Sequence, residues 1–152
     1  MTSLRTLAVA ALVIAVASTP AHAAGKPKPK PVTKTYSMQL APVPDPPQGT
    51  SCVETKLEGL AMHTEKLTVK RAGTLSVKVS GFSGDWDITV VDGSDNSVME
   101  VGSGTTTGGG APATNGVDTV DVKVKKATQF LIHTCNFAGT PAATGTYTFT
   151  YK

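Results

Sequence analysis

The sequence predicts an all-β protein, an antiparallel β-sandwich of about seven or eight short strands. Three observations predict it. Beyond Leu57 the apolar residues recur at every second position, the period of a half-buried strand. Clusters of Gly, Asp, Asn and Ser interrupt that alternation at regular intervals. After residue 24 no segment sustains the i, i+3, i+4, i+7 spacing of an amphipathic helix. Composition agrees, since 39% of the 152 residues are apolar, enough for a core, while only 16% are charged, too few for a coiled coil or a charged disordered chain.

Residues 1–23 have the form of a secretory leader, with Arg5 before the apolar run 7–17 and Ala21-His22-Ala23 as a small-x-small cleavage site. The run is too short for a bilayer core of ~30 Å. The chain is therefore expected outside the cell or at the cell envelope, with no integral membrane span after processing. Residues 24–51 form a Lys/Pro-rich extended linker. GKPKPKPVTK at 25–34 alternates Lys with Pro, which excludes helix and central strand and favours a polyproline-II course. The linker has two readings: a solvated spacer, or an electrostatic contact with an anionic envelope. Within it, Tyr36-Ser37-Met38-Gln39-Leu40 alternates and is compatible with one edge strand. All 11 acidic residues lie beyond Tyr36, whereas Arg5, Lys26, Lys28, Lys30 and Lys34 lie before it. The net +3 thus belongs to the leader and tail, and the body at 52–152 is mildly acidic. A nucleic-acid partner is not expected.

Cys52 and Cys135 are the only cysteines, and an exported pair predicts a disulfide. Two thiols without a CxxC spacing leave a metal site incomplete. Along the body, Leu67 and Val69 alternate with Lys66, Thr68 and Lys70, then Arg71-Ala72-Gly73 turns the chain. Leu75, Val77 and Val79 follow, Gly81-Phe82-Ser83-Gly84 breaks the pattern, and Trp86, Ile88 and Val90 resume it. Residues 92–96 are a turn, 98–101 a short strand, 102–116 a long flexible loop. Val120, Val122 and Val124 alternate next. Residues 129–135 and 147–151 close the chain as strands, joined by a loop at 138–145.

The stretch 65–91, EKLTVKRAGTLSVKVSGFSGDWDITVV, resembles the bacterial pre-peptidase C-terminal domain family. The resemblance is carried by Ala72-Gly73, the strand 74–79, Gly84-Asp85-Trp86-Asp87-Ile88 and the closing Gly145-Thr146-Tyr147. It covers roughly residues 55–152, though Ala127-Thr128-Gln129-Phe130 replaces the usual Gly-x-Tyr before the penultimate strand. It implies a jelly-roll-like sandwich without catalysis of its own, an accessory module of the kind appended to exported enzymes. Some such modules bind substrate polymers or carry calcium.

Candidate sites are sparse. Asp85 and Asp87 share the polar face of one strand, and Asp92 and Asp95 lie in the next turn. Clustered carboxylates suit a hard cation such as calcium, and they equally suit turn capping. The turn lacks the distant Glu of an EF-hand loop. Trp86 has the parity of Ile88 and Val90 and is expected in the core; an exposed stacking platform with Tyr36, Tyr147 or Tyr151 is the alternative. His63 and His133 have no third ligand partner, Ser83 is not in a G-x-S-x-G elbow, and Asp85, Asp87, Glu100 and Asp118 are the acids open to a glycosidase pair without any spacing to support one. The expectation is a monomeric, non-catalytic module without a cofactor, binding an extracellular polymer or envelope component through a sheet face and the loops at 102–116 and 138–145. A structural envelope protein acting through its basic tail is the second reading, and a small secreted hydrolase the third.

Overall fold

A computed structural model describes residues 27–43, 52, 60–102 and 116–152. They form eight strands: β1 (Val32–Gln39), β2 (Met62–Val69), β3 (Gly73–Phe82), β4 (Gly84–Asp92), β5 (Val98–Val101), β6 (Gly116–Val124), β7 (Thr128–Gly139) and β8 (Ala142–Tyr151). Sheet I has the order β1-β8-β3-β6 and sheet II the order β2-β7-β4-β5. Every pairing is antiparallel. First pairs with last, second with seventh, third with sixth and fourth with fifth, which is the winding of a jelly roll.

Alternation builds the core. In β3, Leu75, Val77 and Val79 are buried while Ser76 and Lys78 are exposed, and β6 repeats this with Val120, Val122 and Val124. Sheet II answers with Leu67, Val69, Trp86, Ile88, Val90, Phe130 and Ile132. Phe130 and Phe149 meet across the gap with centroids 6.0 Å apart. β4 departs from clean alternation, because Thr89 and Val91 are buried as well.

The break expected at 81–84 is where the chain passes from β3 in sheet I to β4 in sheet II. Gly81 is a bulge residue with φ of 78°, and Gly84 has φ of 99°. Gly84 lies opposite Gly139, itself at φ 133°, and a Cβ on either would run into the other's backbone. The crossover from β7 to β8 packs beside it, with Thr140 N–H donating to Ser83 O at 2.9 Å and Ser83 N–H to Thr140 Oγ1 at 2.9 Å.

Two boundaries differ from the sequence reading. The loop expected at 138–145 is only Thr140 and Pro141, since β8 already begins at Ala142. Its run of Ala, Thr and Gly looks loop-like, yet its backbone pairs with β1 on one side and β3 on the other. Gly145 sits there because the Tyr36 ring occupies the space a side chain would need. The strand within the tail is longer than 36–40 and starts at Val32, so Val32, Thr33 and Lys34 belong to sheet I. Tyr36, Met38 and Leu40 are core residues. The loop expected at 102–116 falls largely outside the described residues, as does the leader.

A smaller apolar cluster of Val43, Cys52, Ala61, Met62, Cys135 and Phe137 covers part of sheet II. The Cys52–Cys135 disulfide lies within it, fully buried, with Cα atoms 5.6 Å apart. Val43 N–H donates to Asn136 O at 2.9 Å and Asn136 N–H to Ala61 O at 3.1 Å, so both arms of this segment bond to β7.

Candidate functional site

The outward positions of sheet I carry hydroxyls almost throughout. Register aligns them in rows across the strands: Thr33, Thr148, Ser76 and Asp121 in one, Thr35, Thr146, Lys78 and Thr119 in the next, Ser37, Thr144 and Ser80 in a third. Rows are ~6.7 Å apart along a strand and neighbours ~4.8 Å apart across it. Thr33 and Thr148 hydrogen-bond through their hydroxyls at 3.1 Å, and Thr35 and Thr146 do the same at 3.1 Å. A shallow open groove of about 500 Å³ runs over β8, β3 and β6, lined by Ser76, Lys78, Ser80, Thr119, Asp121, Thr146 and Thr148. Each hydroxyl there both donates and accepts, Lys78 only donates and Asp121 only accepts. The groove is chemically suited to polyhydroxylated partners. The Thr-x-Thr-x-Thr-x-Thr spacing at 144–150 was its sequence signal, hidden by the reading of that segment's start as a loop.

The four acids singled out from the sequence do not gather. Asp92 and Asp95 cap their own turn: Asp92 Oδ1 accepts from Ser94 N–H at 2.9 Å and Ser94 Oγ at 2.6 Å, and Asp95 Oδ1 accepts from Ser97 N–H at 2.9 Å. These bonds hold both carboxyls below the ordinary range. Asp85 and Asp87 stand in the first half of β4, roughly 16 to 23 Å from Asp92 at ~3.3 Å per residue. Burial, with the charges of Asp85 and Asp118 adding to it, pushes Asp87 up to about 6. Asp118 is buried, and burial raises it despite two bonds to its carboxylate, from Ile88 N–H and Thr119 N–H, each 2.8 Å. It crosses from sheet I to satisfy β4 of sheet II next to the end of β5. Among the described residues no group of three His, Cys, Asp or Glu side chains is arranged to hold a metal ion.

Trp86 is core, 1% exposed, stacked on Phe82 at 5.8 Å, with Nε1–H donating to Thr140 O at 3.1 Å. Tyr36 and Tyr147 are also buried and Tyr151 packs edge-on against Phe149, so the stacking platform does not form from them. His63 and His133 lie on neighbouring strands one register step apart, hence on opposite faces. His63 stacks on Tyr36 at 5.2 Å and bonds Glu65 at 3.1 Å; His133 Nδ1 bonds the Thr64 hydroxyl at 2.9 Å. Glu65 also takes Lys34 Nζ at 2.6 Å. Burial alone would raise Glu65, and its bonds to Lys34 and His63 outweigh it and hold it low. This chain of contacts closes the seam between edge strands β1 and β2. Ser83 sits in the crossover with its backbone, not its hydroxyl, engaged by Thr140. No family model matches the chain, and no curated protein matches it.

Proposed function

We propose that this chain is a secreted, non-catalytic β-sandwich module that binds an uncharged extracellular polysaccharide across the outer face of sheet I. The observation that carries the reading is the hydroxyl lattice and its groove. Rows of donor-acceptor groups at fixed spacing on a rigid sheet match the repeating hydroxyls of a glycan chain. Lys78 and Lys123 against Asp121 leave the face nearly neutral, which favours an uncharged ligand. The leader-like residues 1–23 and the resemblance to pre-peptidase C-terminal domains support an exported accessory role. The buried disulfide is compatible with an extracellular location.

The test is binding of the chain without residues 1–23 to neutral insoluble glycans, cellulose and chitin among them. Thr146→Val/Thr148→Val keeps the side-chain shape and deletes two hydroxyls in the groove. The reading expects at least about a tenfold loss of affinity with the β fold retained by circular dichroism, since each hydrogen bond to the ligand contributes ~1 kcal/mol. Absence of binding to every glycan, or binding indifferent to this variant, overturns it. Glycan cleavage by the wild-type chain would overturn the non-catalytic part.

A further inference from the structure

A different surface carries a second recognition chemistry. Two short connections link the sheets at the same end of the sandwich. Lys70, Arg71 and Ala72 join β2 to β3, and Lys125, Lys126 and Ala127 join β6 to β7. Val69 pairs with Thr128 and Gly73 with Val124, so the two connections run antiparallel side by side, about one strand spacing (~5 Å) apart. Lys70, Arg71, Lys125 and Lys126 are all exposed, and among the described residues none makes an ion pair.

The row continues along sheet I. Val32 pairs with Phe149, so the Lys-Pro tail with exposed Lys28 and Lys30 enters β1 at this end. Between tail and turns lies Lys152, whose backbone N–H donates to Ala72 O at 3.1 Å. Strand order thus sets the tail, Lys152, Arg71 and Lys125 in sequence across β1, β8, β3 and β6. The acids at this end, Asp92 and Asp95, lie near Lys126 but are bonded to their own turn. Like charges brought this close cost stability unless a polyanion offsets them.

We propose that this basic end docks an anionic polysaccharide, one carrying carboxylate or sulfate groups. A crest about 10 Å thick presents its charges in a row, the shape of an extended chain and not of a planar bilayer. Single-stranded nucleic acid calls for exposed rings to stack its bases. The ring at this end, Tyr151, is turned onto Phe149.

The test measures binding of the chain without residues 1–23 to heparin and to polygalacturonate from about 50 to 200 mM salt. Heparin and polygalacturonate separate sulfate from carboxylate recognition. Expected are binding to at least one of them that weakens steeply with salt, and about a tenfold loss with a shallower salt slope for Lys70→Gln/Arg71→Gln and for Lys125→Gln/Lys126→Gln. Lys125→Arg/Lys126→Arg retains binding, and so does Lys66→Gln, an exposed lysine on the outer side of β2. Circular dichroism of each variant confirms that the fold is kept. Failure to bind either polymer at low salt overturns the proposal. So does loss only with Lys28→Gln/Lys30→Gln and not with the turn variants, or tighter binding to duplex DNA or to anionic lipid vesicles. The hydroxyl face takes no part in this test, so its failure and the failure of the neutral-glycan reading are separate results.

Discussion

Asp118 stands where β5 leaves the edge of β4, and its carboxylate replaces the missing strand by accepting Ile88 N–H while Gly102 N–H donates to Ile88 O at 2.7 Å. Asp118→Ala would leave that buried amide unpaired, at a cost of about 1–3 kcal/mol read by urea denaturation. Its neighbour Asp87 is also raised by burial, and there substitution is expected to stabilise. A carboxyl raised from 3.8 to about 6 on folding binds more protons in the native state than in the unfolded chain between those values. Its contribution is therefore fully present below about 4 and lost as pH rises through about 6. Asp87→Asn should raise stability at pH 7 by about 1 kcal/mol, after allowing for solvent screening of a partly exposed group, and have little effect at pH 4. Melting curves of both proteins at the two pH values check it. Trp86 gives a simpler readout: its buried ring should emit well to the blue of a solvent-exposed indole and shift red on denaturation.

At the scale of the element, β1 separates spacer from fold. Removing residues up to 31 should leave the melting temperature nearly unchanged. Removing residues up to 40 takes Tyr36, Met38 and Leu40 from the core and exposes β8, and should abolish cooperative unfolding in calorimetry. The Cys52–Cys135 crosslink spans 83 positions, and Cys52→Ser/Cys135→Ser should lower stability by roughly 2–4 kcal/mol. Alternation made β3 and β6 legible from the residues, because each has one face in the core and one in water, and β4 was legible through Trp86, Ile88 and Val90 although Thr89 and Val91 on its other face are buried too. β1 was legible only in its second half. Its first residues, Val32, Thr33 and Lys34, follow a Lys-Pro run and include an inward lysine that pairs with Glu65, so the apolar pattern starts late. The start of β8 was missed for a related reason. Small residues fit under Tyr36 and beside two strands, and that requirement comes from tertiary packing. The four acids looked like one cluster because sequence proximity says nothing of the length of β4 between them. The hydroxyl groove and the basic end both draw on strands distant in sequence, so neither existed before the register was known.

At the scale of the molecule, the winding sorts charge. Both short inter-sheet connections at one end are basic, with Asp92 and Asp95 beside Lys126, while Asp85, Asp87 and Asp118 lie toward the end where β3 crosses to β4. A chain with only a small net charge thus has two poles, and its partners are set by pole and face more than by the total. The same winding makes the fold non-local. Thr33 meets Thr148 across 115 positions, so β1 can dock only after β8 has formed its place in sheet I. Refolding is expected on the millisecond-to-second scale of β-sandwiches, measurable by stopped-flow fluorescence of Trp86.

Because β1 begins beside the end of β8, the two ends of the folded body are neighbours. A short Gly/Ser bridge from Lys152 to Lys30 would join them without spanning the domain, and the chain could be reopened in the exposed β4–β5 turn near Ser94. Such a circularly permuted protein would keep both sheets and move its new ends among the turns of the basic crest. A tag fused just before Lys28 or just after Lys152 would sit beside that crest and shadow it in any binding assay.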